Sequence, residues 1–449
     1  MDYQLLLAVF IGIALLLFLI LRVKIQAFLA LLMVCIAVGL IAGMPAEEIL
    51  DTIKEGMGNT LGFVATVVGL GALFGGILEN SGGAQRLASY LLGKTGEKRA
   101  PWALMLTGFV VAIPVFFDVA FIILVPVTYA LSKKTGKSLL LYAIPLLAGL
   151  AITHTFIPPT PGPIAVADIL GADLGWVIIF GTLAGLPAAI IGGPVFARYL
   201  ARKIDVHPDI FKDVKIHQKT ADQPSAWTVI SIILIPIFLI VLNSLFSSPL
   251  FSGLRLSEGT LNILALLGHP FTALIIANLI AWYFLGIKRG MTKDFLLKVS
   301  TKSFQAAGII ILLTGAGGAF KQILINTGAG EMIAHSLNNS YFNPLVFAFI
   351  VAAVVRILQG SSTVAMITAA GIASPVLING GYSIEQTSLM VIAIASGALI
   401  LSHVNDSGFW LVSQYLGLDE KQTFRSWTVM TTIISLVGLF MALLLWFLI

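Results

Sequence analysis

What this chain has little of is charge. Of its 449 residues only 10% are Asp, Glu, Lys or Arg, while 58% belong to the set AVILMFWYC. Soluble globular chains carry about 25% and about 45–50% respectively. So few charges cannot cover the surface of a water-soluble fold of this size, which excludes the two or three soluble domains that length alone suggests. A single cysteine, Cys35, excludes an intramolecular disulfide and a thiolate metal cluster. It stands in an apolar run and reads as a small packed side chain. The six histidines show no zinc-type spacing, and there is no P-loop, GxGxxG unit or GxSxG elbow. No metal, cofactor or enzymatic chemistry is therefore expected. No basic tract with interleaved aromatics offers a surface to nucleic acid. The N-terminus lacks a basic region and a small-residue cleavage site, so 5–21 reads as a first span rather than a removable signal.

What the chain does have is long apolar runs, and the bilayer is the expected partner. A bilayer core needs about 20 apolar residues per helix. Uninterrupted runs occur at 5–21, 26–43, 61–78, 174–200, 227–247, 263–287, 304–325 and 427–449. Four others, 101–131, 138–170, 342–378 and 387–418, are apolar but punctuated by Pro, Gly, Asn, Asp and His, and predict broken or re-entrant helices. Lys and Arg mark the cytoplasmic side of membrane proteins. Arg22, Lys24, Lys94, Lys98, Arg99, Lys133, Lys134, Lys137, Arg198, Arg202 and Lys203 then belong inside. The N-terminus is predicted outside, and 201–226 is a cytoplasmic linker between a first half, 1–200, and a second half, 227–449. Trp102 and Trp427, at span ends, are expected as interfacial anchors.

The halves resemble each other. Ile77–Gly82 (ILENSG) matches Ile323–Gly328 (ILINTG), and Ala148–His154 (AGLAITH) matches Gly397–His403 (GALILSH). The amphipathic stretches differ in charge. Residues 45–60 hold Glu47, Glu48, Asp51 and Glu55 against Lys54, a net −3, while 288–302 hold Lys288, Arg289, Lys293, Lys298 and Lys302 against Asp294, a net +4. Equivalent elements on opposite sides of the membrane mean inverted topology, a common layout of secondary transporters. The expected fold is all-α and polytopic, with two inverted-topology repeats and broken helices or re-entrant hairpins.

Broken helices in lipid survive only where protein or a water-filled cavity surrounds them, and their free N-termini favour anions. Three pairs of breaks stand out. Asn80, Ser81 and Gly82 pair with Asn326, Thr327 and Gly328, which read either as a polyol-binding turn or as capped interfacial turns. Phe116-Phe117-Asp118 pairs with Gly360, Ser361, Ser362 and Thr363. Asp118 is a costly intramembrane carboxylate suited to carrying a proton, or else an ion-pair partner of Arg356. The hydroxyls of 361–363 either bind ligand or bond back to their helix. The third pair joins His154–Pro163, with Thr160 among its prolines, to His403, Asn405, Asp406 and Ser407. His and Asp at membrane depth can exchange protons, and satisfied helix-terminal hydrogen bonding is the alternative.

The stretches GALFGGILENSGGAQRLA, IPVFFDVAFIILVP, THTFIPPTPGP, LQGSSTVAMITAAGI and SHVNDSGFW, in that order over essentially the whole chain, resemble the gluconate:proton symporter (GntP) family of the ion-transporter superfamily. The resemblance implies proton-coupled uptake of a sugar acid such as gluconate, or of a related hydroxycarboxylate such as idonate, D-serine or a glycerate-like compound. It implies the bacterial inner membrane, and a homodimer that works in elevator fashion. The expected site is Asn80–Gly82, Thr160, Asn326–Gly328, Gly360–Thr363, Asn405 and Ser407 around a monoanionic hydroxy acid, neutralised by helix N-termini and hydroxyls without an arginine. Asp118 is the first choice for the coupling proton, followed by His154, His403 and Asp406. A sodium-coupled carrier, a passive channel and a membrane-embedded enzyme are the rival classes.

Overall fold

The computed structural model describes residues 3–207, 224–247, 257–328, 343–378, 381–404 and 406–449. Among these the chain is helical throughout, with no strand. Most of the 201–226 linker and the amphipathic stretch expected after Gly328 lie outside the described residues. The first half runs α1 (Tyr3–Leu21), α2 (Ala27–Ile41), α3 (Ala46–Asn80), α4 (Gly83–Thr95), α5 (Ala100–Val111), α6 (Phe117–Thr135), α7 (Leu140–Phe156), α8 (Pro161–Leu170) and α9 (Leu174–Leu200). The second runs α10 (Ala226–Ser247), α11 (Glu258–Gly268), α12 (Pro270–Arg289), α13 (Lys293–Asn326), α14 (Pro344–Gln359), α15 (Ser362–Ile378), α16 (Ile384–Gly397), α17 (Ser407–Leu416) and α18 (Glu420–Trp446). Among the described residues seven helical segments are long and apolar enough to cross a membrane, the α7–α8 unit counting as one.

The amphipathic stretches 45–60 and 288–302 are not separate elements ahead of their spans. Apart from its first residues the basic stretch, like the acidic one, continues without a break into the apolar run, giving 35 residues in α3 and 34 in α13. Pro45 starts the first helix, Thr292 caps the second through Phe295 N, and no proline follows inside either. The run expected as one span at 263–287 is instead split at His269-Pro270. His269 caps α12 by accepting from Phe271 N, with Pro270 at the first helical position.

Helices α3 and α13 pack antiparallel along their length. Gly56 lies against Gly318 and Ala319, and Gly76 against Ser303. A Cβ at Gly56 would come within 2.6 Å of Gly318 O, and one at Gly76 within 2.1 Å of Ser303 Oγ. Small residues at a crossing let backbones approach, which is how helices associate where lipid removes the hydrophobic drive. Matching helices running in opposite directions are what inverted topology requires. All four punctuated runs are broken, at 112–116, 157–160, 360–361 and 398–406. Of the most apolar 18 residues in Leu140–Leu170, 89% are buried within the protein, against 33% for those in Ala226–Phe246. The broken α7–α8 unit is therefore central and α10 peripheral.

Candidate functional site

Three helices begin on one cavity. The N-terminal turns of α6 (Phe117, Asp118), α15 (Ser361–Val364) and α17 (Asp406–Gly408) surround a volume of about 430 Å³, closed by Ala151, His154 and Thr155 of α7 and by Ile309, Ile310 and Leu313 of α13. Small-molecule sites typically span about 300–1,000 Å³. The first N–H groups of each helix have no intrahelical acceptor, so three positive dipole ends converge here. Gly360, with φ +85°, turns the chain from α14 into α15 in a left-handed conformation that a Cβ would strain.

The strongest charge in the cavity is one that the expected site leaves out. Arg356, in the last turn of α14, is buried, and its Nη2 donates to Asp406 Oδ2 at 2.5 Å. Asp406 is held on all sides. It caps α17 by accepting from Gly408 N at 2.9 Å, and its Oδ2 also accepts from Ser402 Oγ. Ser402 Oγ in turn accepts from Trp427 Nε1 at 2.6 Å, and its carbonyl accepts from Thr428 Oγ1. Arg356 Nε and Nη1 remain without an acceptor. A buried guanidinium with unmet donors is costly unless something else in the cavity fills them.

Asp118 does not pair with Arg356, which is committed to Asp406. Its carboxylate is exposed to the cavity and has no hydrogen-bond or ion-pair partner among the described residues. His154 lies edge-on to Phe116, ring centroids 6.2 Å apart, with its Nδ1 buried and unpartnered. Ser361, Ser362, Thr363 and Ser407 line the same space.

The remaining expected residues are placed elsewhere. Asn80 and Asn326 cannot touch one small anion. Asn326 Nδ2 donates to Thr52 Oγ1 near the start of α3, and Asn80 stands 28 residues further along that helix, about 42 Å at 1.5 Å per residue. Ser81 and Thr327 hydroxyls donate back to Leu78 O and Leu324 O, while Gly82 and Gly328 supply left-handed turns. Both turns are thus helix stops at opposite ends of the α3–α13 pair. Thr160 is buried, does not line the cavity, and donates to Ile157 O. His403 is spent on Ile357 O at 2.9 Å, and Asp406 on Arg356. Asn405 lies outside the described residues. Trp427 is no interfacial anchor: it is 3% exposed, lines the cavity and supports Ser402. Trp102 does meet Arg198, 6.0 Å above its ring.

Sequence reasoning did not place Arg356 on the cavity. The signal was an arginine four residues before Gly360 at the end of an otherwise apolar span. It also passed over Asp168 on α8, which lies near Thr60 of α3 and Lys321 of α13.

A polytopic helical protein with paired broken helices meeting at a partly charged central cavity is a membrane carrier, and comparison with known proteins bears this out. The family description "GntP family permease" matches residues 4–449, and the chain belongs to that family. It is a multi-pass membrane permease and not an enzyme. It is 40% identical over 448 residues to a gluconate permease of Pseudomonas aeruginosa, covering 99% of this chain and 98% of that one. It is also 40% identical to the low-affinity gluconate transporter of Escherichia coli K12, covering 95% of each. Among solved structures, the Alcanivorax borkumensis YdaH transporter, described as having an unusual topology, shares the fold with a TM-score of 0.68 over 94% of this chain and 98% of that one, at 14% identity.

Proposed function

We propose that this permease carries gluconate or a closely related small hydroxycarboxylate into the cell by proton symport across the bacterial inner membrane. The observation that carries the reading is Arg356, a buried guanidinium on the central cavity with two nitrogens lacking acceptors. A carboxylate admitted to them as the side chains sealing Arg356 part would fill them with charge-assisted hydrogen bonds. The first-turn N–H groups of α15 would share its charge, and Ser361, Ser362, Thr363 and Ser407 would meet the hydroxyls of the chain. The relatives' names point to the same substrate class. The N-terminus would lie outside, with 1–200 and 227–449 as the inverted halves and 201–226 as a cytoplasmic linker.

Asp118 is the proton carrier in this reading. It faces the ligand space without a partner, whereas Asp406 is already neutralised by Arg356. Taking up a proton at Asp118 would remove its repulsion of the incoming anion and lower the cost of moving the loaded site past apolar walls. His154 is the second candidate, reached through the same cavity.

Uptake of radiolabelled gluconate into proteoliposomes tests this directly. Concentrative uptake is expected with an inward proton gradient alone. A requirement for an inward sodium gradient would overturn the proton assignment, and absence of gluconate uptake under either gradient would overturn the substrate.

A further inference from the structure

A second cavity of about 310 Å³ adjoins the first. It lies between the C-terminal end of α3 and the basic N-terminal half of α13, and it shares Phe116 and Val119 with the central cavity. Its charged lining is Lys298 and Lys302 facing Glu79, two ammonium groups against one carboxylate. Both lysines are exposed to it, and Asn80 completes its polar rim. Along α13, Lys302 precedes Ile309 and Leu313 of the central cavity by 7 and 11 residues, about 10–16 Å of helix. The half-buried Phe116 ring stands between the two volumes, edge-on to His154.

We propose that this cavity is a second binding station for the transported carboxylate anion, in which Lys298 and Lys302 hold it before or after it passes Phe116. The inference rests on the hydroxycarboxylate reading given above and adds to it a route and a mouth. The opposite end of the α3–α13 pair supports the assignment by contrast. There Glu47, Glu48, Asp51 and Glu55 crowd the first turns of α3, a field that repels an anion. In the orientation proposed above the basic vestibule faces the cytoplasm, so for an imported anion it is the station reached after Phe116. A cleft lined by one sign of charge raises the local concentration of the opposite ion, and a net-positive vestibule about two helical turns from the site does so where it counts. Asn80 and Glu79 then belong to the route rather than to the central site.

Restoring and reversing charge at one position tests the station. In the otherwise wild-type chain, whose Cys35 is buried, Lys302→Cys is treated with a thiol reagent that adds an aminoethyl group or with one that adds a sulfonatoethyl group. Gluconate exchange in proteoliposomes is read at concentrations below KM. The untreated variant is expected to lose roughly three- to tenfold in rate, the ammonium adduct to recover most of it, and the sulfonate adduct to fall further. Detergent-solubilised protein should bind gluconate at the central site with unchanged affinity in all three forms. Lys298→Cys should give the same ranking and serves where the first variant is poorly made. Equal rates for the three forms, or a ranking indifferent to charge, would overturn the station. Failure of the wild-type protein to exchange gluconate would strike the substrate reading instead, and the two failures are distinct.

Discussion

In the first half α5 crosses α7 with Gly149 pressed against the carbonyl of Met105; in the second, α14 crosses α16 with Gly397 pressed against that of Phe349. The crossings are alike, but the groups that the neighbouring breaks deliver to the cavity are not. The first half supplies Asp118, with no partner, and His154, whose Nδ1 is unmet. The second supplies Arg356 and Asp406, fastened through Ser402 to Trp427. The two crossings share their packing and differ in the chemistry beside them. One half offers groups without partners, and the other a charge fixed by its carboxylate.

The largest effect is expected where the fixed charge is removed. Arg356→Gln leaves Asp406 buried and unpaired, a loss of about 3–5 kcal/mol, and should abolish uptake. Stability and function separate in the double variant Arg356→Met, Asp406→Leu. Replacing both members of a buried pair by apolar residues is often neutral, so this protein should regain most of the stability, short of the α17 cap and the Ser402 bond that Asp406 also provides, and still carry nothing. Uptake by the double variant would show that the second half provides only structure.

Asp118→Asn probes the other half. Accumulation should fall to the equilibrium level while gluconate exchange persists, because the neutral amide mimics the protonated carrier. Unfolding stability should change little, since no described residue bonds this carboxylate. Continued accumulation against a gradient would move the coupling role to His154 and erase the contrast between the halves.

The shared framework can be tested by the pair Gly149→Ala and Gly397→Ala. A Cβ would lie 2.2 Å from Met105 O in the one and 2.3 Å from Phe349 O in the other. Overpacking of this kind costs about 1–3 kcal/mol. The two losses, read as shifts of the unfolding midpoint in detergent, should be similar. A large difference would mean that only one crossing is tightly constrained.

These contrasts also explain what was legible in the sequence. The apolar runs and the four punctuated stretches announced the helices and their breaks, because proline and glycine act locally. The opposite charges of 45–60 and 288–302 announced the inversion. Where matched residues end up was harder to read. Inverted symmetry brings elements near its axis together, so 116–118 and 360–363 meet at one cavity, but it sends elements far from the axis apart. The ILENSG and ILINTG turns match in sequence and stand at opposite ends of a helix pair. Arg356 was hidden for another reason: its partner is 50 residues away, and only tertiary packing decides whether Asp118 or Asp406 receives it.

The smallest effect is expected at a second ion pair, one that sharpens the comparison by burial alone. Lys134, in the last turn of α6, meets Glu97, between α4 and α5, at 2.7 Å with both side chains exposed. The ammonium group holds the Glu97 carboxyl below its usual range, and Glu97 raises Lys134. Since the carboxyl is lowered in the folded state, its contribution is present above the ordinary carboxylate range and fades as pH falls through the lowered value. For the raised lysine, the contribution is full below its ordinary range and fades only as pH climbs through the raised value. Water screens such a pair and side-chain entropy opposes it, so Glu97→Gln at neutral pH should move the unfolding midpoint by no more than about 2 °C. High salt should erase even that shift. The same two charge types, buried at Arg356–Asp406, should cost far more when one of them is removed, because there neither water nor salt can replace a missing partner.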